Sequence, residues 1–306
     1  MTKKSKKNDY KIIVIVGPTA SGKSDLAVDL AKKFNGEIIS ADSRQVYKGL
    51  DIGSGKITAS EMKGVKHHLL DVVSPKKIFT AADFQRLGRK ALKEIWQKNK
   101  LPIICGGTGL YINSLIFNYS IPKVKPQPGL REKLESHTTI KLFAELKKLD
   151  PERAKTIDQN NRRRLIRALE ITITTGHPIP PLKIKTIVPP ENILWLGLSP
   201  QSEELKNKIE KRLDHRLQHG LIEEVRQLHD QGLTWQKLED FGLEYRWLAR
   251  FLQGQIDYNL MKEKLFMEIW HYSKRQMTWF KKNKNINWLE KPTVANEFVE
   301  NFLKLR

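Results

Sequence analysis

Five consecutive apolar residues, Ile12-Ile13-Val14-Ile15-Val16, form the first strong pattern in the chain. The run is short and β-branched, which predicts a strand buried on both faces. Lys23 to about Phe34 carries its apolar residues at helical spacing. Glu37 to Ser40 reads as a second short buried strand, ending at Asp42, and Val65 to Val73 as a third. Thr80 to Lys98 is amphipathic with period 3.6, through Phe84, Leu87, Ala91, Leu92 and Ile95, and Thr80 is the candidate N-cap. Leu101 to Cys105 is again strand-like and runs into Gly106-Gly107-Thr108-Gly109. Strands alternating with helices predict an α/β fold: a P-loop-type parallel sheet with helices on both faces.

The pattern changes after Phe117. Pro122, Pro126 and Pro128 mark a hinge or loop between Ile121 and Gly129. Two or three helices are expected from Leu130 to about Thr175, closed by Gly176-His177-Pro178 and Pro180-Pro181. Strand character returns at Ile193 to Leu198. The remainder is helical: Gln201 to His219, Leu221 to Gln231, and Asp257 to about Lys282. This divides the chain into a catalytic core, 1–117 with 191–306, and a small helical insertion, 118–190. No internal repeat interrupts the scheme.

Between the first strand and the first helix stands Gly17-Pro18-Thr19-Ala20-Ser21-Gly22-Lys23-Ser24. Strand, glycine-rich turn and helix is the context a phosphate-binding P-loop requires. Gly17 and Gly22 allow a curl that points successive N–H groups at phosphate oxygens, and the helix N-terminus adds its dipole. Lys23 supplies a point charge and Ser24 a hydroxyl for a magnesium ion. The turn predicts a ligand carrying a diphosphate or triphosphate, without saying which.

Charge narrows the choice. Lysine and arginine total 55 against 34 acidic residues, a formal net of +21 among 306 residues. Such a surplus suits a polyanion, nucleic acid first, although solvated lysine-rich faces give the same total. The single cysteine, Cys105, excludes a disulfide framework and suits a reducing cytoplasm. Met1 to Lys11 is lysine-rich, with no apolar core of leader length after it, and no stretch is long enough for a membrane span.

Several further residues carry candidate chemistry. Asp42, at the end of the second strand, is placed either to hold a metal or accept a proton, or simply to cap the following turn. A nucleotide-hydrolysing P-loop protein also has an Asp at the end of an apolar strand. Here the strand Leu101 to Cys105 ends in glycine and threonine, with Thr108 as a hydroxyl donor. Arg162, Arg163, Arg164 and Arg167 crowd one helix whose buried stripe is Leu165, Ile166, Leu169 and Ile173; they suit phosphate backbones, or else a solvated face. Lys274, Arg275, Lys281 and Lys282 interleave with Trp279 and Phe280, aromatics expected in the core. His67-His68 lacks partners at metal spacing and is read as structural. Arg212 lies on a helix after the returning strand.

Taken in order, Gly17 to Ser24, Asp42-Ser43-Arg44-Gln45-Val46-Tyr47 with Asp51-Ile52-Gly53, His67-His68-Leu69, Gly106 to Tyr111, Arg167-Ala168-Leu169-Glu170 and Lys274 to Phe280 resemble the tRNA dimethylallyltransferase (tRNA isopentenyltransferase) family over nearly the whole chain. The resemblance implies transfer of a dimethylallyl group from dimethylallyl diphosphate to N6 of the adenosine 3′-adjacent to the anticodon. It implies a diphosphate held by Gly17, Thr19, Ala20, Ser21, Gly22, Lys23 and Ser24, with Mg2+ on Ser24. Asp42, Thr108 and Arg212 match the family's catalytic residues. Asp42, Ser43, Arg44, Gln45, Thr108, Arg131, Arg163, Arg164, Arg167, Arg246, Lys274 and Arg275 match its tRNA-binding segments, for a partner that is the anticodon stem-loop. A monomer in the cytoplasm is expected. The chain departs from the family's usual pattern at Ser24 (Thr), at Arg216 (Met), at Ile269-Trp270 (Thr-Arg) and in the spacing of Phe241 to Arg246. The rival readings are an ATP-binding P-loop kinase of a nucleoside-like molecule and a non-catalytic RNA-binding ATP switch.

Overall fold

The computed structural model describes residues 10–182 and 184–304; the lysine-rich residues 1–9 lie outside that range. The described chain forms two units, one of residues 10–118 and 186–304, the other of residues 119–185.

The larger unit is built on six parallel strands: β1 (Ile12–Val16), β2 (Gly36–Ser40), β3 (His67–His68), β4 (Leu101–Gly106), β5 (Ile193–Leu198) and β6 (Ile286–Leu289), in the order β3-β2-β4-β1-β5-β6. The period of two along β1 assigns its side chains to opposite layers. Ile12, Val14 and Val16 pack with Phe84, Leu92 and Ile95 of the Ala81–Gln97 helix. Ile13 and Ile15 pack with Leu26 and Leu30 of the Lys23–Lys33 helix and with Val299 and Phe302 of the last helix, Ala295–Lys304. Helices therefore cover both faces, as the α/β pattern requires. A third core lies among the C-terminal helices, where Leu205, Leu213, Val225, Leu238, Tyr245 and Leu265 enclose Val46 and Leu50. Among the described residues, no helix is long and apolar enough to cross a membrane.

Thr80 caps the Ala81–Gln97 helix through a reciprocal box with Asp83, in accord with its sequence. The third strand is a correction. Only His67–His68 pairs in the sheet, beyond which Tyr47 and Val73 form a single bridge. Leu69 and Asp71 adopt φ of 68° and 55°, and left-handed backbone cannot continue a strand. The β6 strand and the last helix were not expected.

The smaller unit has four helices, Pro128–Glu135, Thr139–Leu149, Pro151–Thr156 and Arg162–Thr175, rather than two or three. The Asp150-Pro151 step divides what reads as one helix: Pro151 cannot donate to the preceding turn, and the Asp150 carboxylate accepts from Arg153 N–H to start a new one. Leu134, Leu142, Leu146, Leu165 and Leu169 fill its core.

Candidate functional site

The carboxyl ends of three neighbouring strands, β2, β4 and β1, carry Asp42, Gly107-Thr108 and the Gly17–Ser24 turn. In parallel sheets this edge is where ligands bind. A cleft of about 960 Å³, counted with its open mouth, lies there; Thr19, Lys23, Ser24, Asp42, Arg212 and Arg216 are among its walls.

The turn has the geometry of an anion cradle. Gly17 has φ +156°, and a Cβ on it would sit 2.9 Å from both Leu198 O and Ser21 Oγ, so no larger residue fits without a shift. Gly22 is left-handed at φ 84° and leads into the helix that begins at Lys23. Ser24 lines the cleft at that N-terminus. The Ser21 hydroxyl is buried with no hydrogen-bond partner among the described residues. Lys23 Nζ donates to Pro18 O at 3.0 Å, and burial lowers the pKa of its ammonium. Ala20 packs beside the C-terminal core. Gln276, on the Tyr258–Phe280 helix, ties the turn to the β4 end: its Oε1 accepts from Thr19 N–H at 2.8 Å and its Nε2 donates to Gly107 O at 3.1 Å.

Asp42 is held by its own segment. Its Oδ1 accepts from Arg44 N–H at 2.8 Å and Gln45 N–H at 3.3 Å, leaving Oδ2 without a hydrogen-bond partner among the described residues. That segment thus engages one oxygen of the carboxylate and leaves the other available. Ser43 N–H donates to Thr108 Oγ1 at 3.0 Å, and burial pushes up the phenol of Tyr272, which also lines the cleft. Arg44 Nε donates to Phe241 O at 2.7 Å, with the guanidinium over the Phe241 ring. Gln45 spans Ser40 and Gly55.

Across the cleft stand Arg212 and Arg216, one turn apart on the Ser202–Gln218 helix. Arg212 approaches Gly55 O at 3.5 Å. Desolvation and then the like charge of Arg216 lower its pKa to about 10; open to water through the mouth of the cleft, it stays cationic at neutral pH. Arg216 Nη1 donates to Glu244 Oε1 at 3.1 Å and to Gly53 O at 3.4 Å. Burial raises the Glu244 carboxyl despite that guanidinium. The loop beneath is fixed by Glu224, which accepts N–H bonds from Asp51, Ile52 and Gly53 and the hydroxyl of Tyr245.

The larger unit also holds Arg246, paired with Glu268 at 2.9 Å, and exposed Lys274 and Arg275, which lie over the Trp270 and Tyr272 rings. In the smaller unit, Arg131 and Arg167 both bond Glu170, while Arg163 and Arg164 are exposed and have no side-chain partner among the described residues. Spacing did not single out Gln276, Glu224, Glu244 or Tyr272 as site residues. The one available signal was a polar residue on a buried stripe: Gln276 continues Leu265, Ile269 and Ser273 at helical spacing.

Among the described residues no group of three or more His, Cys, Asp or Glu is placed to cage a metal. Ser24 and Asp42, two of the oxygen donors that line the cleft, fit instead a magnesium ion held largely by phosphate oxygens and water.

Known proteins are similar to this chain over most of its length. Residues 45–283 match the family model described as IPP transferase. The chain is 41% identical over 291 residues to a tRNA dimethylallyltransferase of Bacillus pumilus, covering 93% of this chain and 91% of the relative. It is 42% identical over 286 residues to one of Acetivibrio thermocellus, covering 92% and 91%. A crystal structure of the tRNA isopentenylpyrophosphate transferase of Bacillus halodurans superposes with TM-score 0.71 at 37% identity, over 96% of this chain and 97% of that one. A eukaryotic dimethylallyltransferase acting on tRNA superposes with TM-score 0.77 at 27% identity, over 95% and 80%.

Proposed function

The chain belongs to the IPP transferase family, and on that premise we propose that it is a tRNA dimethylallyltransferase. It moves the five-carbon group of dimethylallyl diphosphate to N6 of the adenosine 3′-adjacent to the anticodon and releases diphosphate. The observation that carries this reading is the pairing of an anion cradle on β1 with a half-free carboxylate, Asp42, on β2 in one cleft. The intervening β4 ends in Gly106-Gly107-Thr108, without the carboxylate that a nucleotide-hydrolysing site needs there.

The chemistry divides between the two walls. The N6 lone pair is delocalised into the adenine ring, so N6 is a weak nucleophile. An allylic carbon compensates, because positive charge developing on it is shared across the double bond. The bond from C1 of the isoprenoid to the diphosphate oxygen breaks with its electron pair going to diphosphate, and the C1–N6 bond forms. The N6 proton passes to Asp42, whose Oδ1 is already fixed by two N–H groups. Amides of the Gly17–Ser24 turn, Lys23 and Arg212 face the departing charge, the largest expected electrostatic contribution. Magnesium, held by Ser24, would neutralise part of that same charge when bound. Thr108 acts by fixing Ser43 beside Asp42.

The target base must leave its stack to meet a carbon inside a cleft. Arg163, Arg164, Lys274 and Arg275 are exposed and open to RNA phosphates. Arg131, Arg167 and Arg246 each already hold a carboxylate, so they present less of their guanidinium to RNA.

The test is incubation with unmodified tRNA and labelled dimethylallyl diphosphate, followed by nucleoside analysis. The expected product is N6-dimethylallyladenosine. Absence of label in tRNA, together with ATP binding that dimethylallyl diphosphate does not displace, would instead support the kinase reading.

A further inference from the structure

We infer that Arg216 is a second guanidinium ligand of the diphosphate, held in place by Glu244; the inference rests on the function proposed above. Arg212 and Arg216 stand at i and i+4 on one helix, so both project over the same loop. That loop is shaped around them. Gly55 has φ +59°, and a Cβ on it would fall 2.2 Å from Arg212 Nη2 and 1.8 Å from Arg216 Nη2. Both guanidiniums therefore converge on one glycine at the wall of the cleft.

The partners are unequally shared. The Arg216 side chain is 13% exposed and that of Glu244 is 9%. Only Nη1 of Arg216 is engaged, by Glu244 and Gly53 O. Nε and Nη2 have no acceptor among the described residues, and Arg216 lines the cleft. A mostly buried guanidinium with unused donors at a cleft wall suits an anion better than water. Charge points the same way. Lys23, Arg44, Arg212 and Arg216 outnumber Asp42 and Glu244 among the charged residues that line the cleft, and Arg216 is the cation set directly against buried Glu244. It keeps that wall from turning a bare carboxylate to the leaving diphosphate. Glu244 consumes one edge of the guanidinium and aims the other.

The experiment measures binding of inorganic diphosphate with magnesium, and tRNA binding, in the full chain and in Arg216→Met, Glu244→Gln and the double variant. The double variant removes both members of the ion pair and leaves no buried charge behind, so it keeps the test decisive if either single variant fails to fold. The expected result is diphosphate affinity weakened about tenfold or more in the double variant, the size of a lost hydrogen bond to a charged group. Glu244→Gln keeps Arg216 and loses less, Arg216→Lys recovers part of the affinity, and tRNA binding is unchanged throughout. A double variant that binds diphosphate like the natural chain would overturn the inference and leave the pair as packing alone. A natural chain that binds no diphosphate would overturn both the inference and the function on which it rests.

Discussion

Each unit of the molecule holds two arginines around one buried glutamate, and the two clusters behave in opposite ways. In the smaller unit Glu170 is fully buried, and both its oxygens are taken: Oε1 accepts from Arg131 Nε and Gln127 N–H, each at 2.7 Å, while Oε2 accepts from Arg131 at 2.9 Å and from Arg167. Burial pushes this carboxyl up, but those hydrogen bonds outweigh it and hold it at about 2. In the larger unit Glu244 is nearly as buried, has one guanidinium partner, and its carboxyl is raised. A buried charge cluster whose hydrogen bonds are complete acts as architecture. One left incomplete beside a cleft has capacity for a ligand. The same three side-chain types thus make a strut in one unit and part of the wall of a cleft in the other.

The contrast is broken most severely at the cleft itself. Asp42→Asn keeps an oxygen to accept from Arg44 and Gln45 N–H but cannot take a proton from N6. Turnover should fall by about 10²–10⁴-fold with diphosphate affinity retained. Single-turnover transfer to tRNA measures the first, calorimetry the second, and unchanged turnover removes Asp42 from the mechanism. Next in size is Glu170→Ala, which leaves two guanidiniums facing an empty site. It should cost about 3 kcal/mol of stability, the lower end for breaking a buried pair because the arginines are a third exposed. Denaturant unfolding reads the loss; a variant as stable as the natural chain would mean that Glu170 is no strut.

Much of the frame behind this contrast was legible in the sequence. Unbroken apolar runs declared β1, β4 and β5, and Thr80 marked where a helix begins. The P-loop spacing and the strand-end position of Asp42 predict the glycine-rich turn and the carboxylate at one sheet edge, and both line one cleft there. The brevity of β3 was hidden because Leu69, Leu70, Val72 and Val73 continue the apolar pattern while the backbone turns left-handed at Leu69 and Asp71. The edge strand β6 is four residues long and half-exposed, too weak a pattern to separate from a loop. The arginines between 162 and 167 look alike in sequence, yet Arg162 donates to the carbonyls of Glu135 and His137, Arg167 to Glu170, and Arg163 to no partner among the described residues. Glu244 and Gln276 matter through contacts with residues far along the chain, Arg216 and Thr19. Such pairings leave no local periodicity.

The opposite shifts of the two glutamates sharpen the comparison through pH. Glu170 has a folded pKa of about 2 against an ordinary 4.5, so its contribution is complete above about 4.5 and is lost as pH falls towards 2. The stability advantage of the natural chain over Glu170→Gln should therefore shrink across that window. Glu244 is shifted upward, so the folded chain binds its proton more readily than the unfolded chain does. The natural chain should gain on Glu244→Gln as pH falls through the Glu244 titration. Other titrating groups, such as Glu37, are common to each pair being compared and cancel. Differences that move with pH in the same direction would show the clusters to be alike.

The smallest effect separates free cations from committed ones within a single helix. Arg163→Ala removes an exposed charge that holds nothing in place. It should weaken tRNA binding a few-fold and reduce the slope of log affinity against log salt by about one, as loss of one phosphate contact does. Arg167 is four residues along, but its guanidinium spans Glu170 and Val124 O. Arg167→Ala should lower the unfolding midpoint and, in the folded protein, leave the salt slope where it was. Filter binding across a salt series distinguishes the two, because a phosphate contact changes the slope whereas a loosened strut changes only the folded fraction. If Arg167→Ala flattens the slope as much as Arg163→Ala does, RNA draws Arg167 off Glu170, and the closed cluster is a reserve of binding charge rather than a strut.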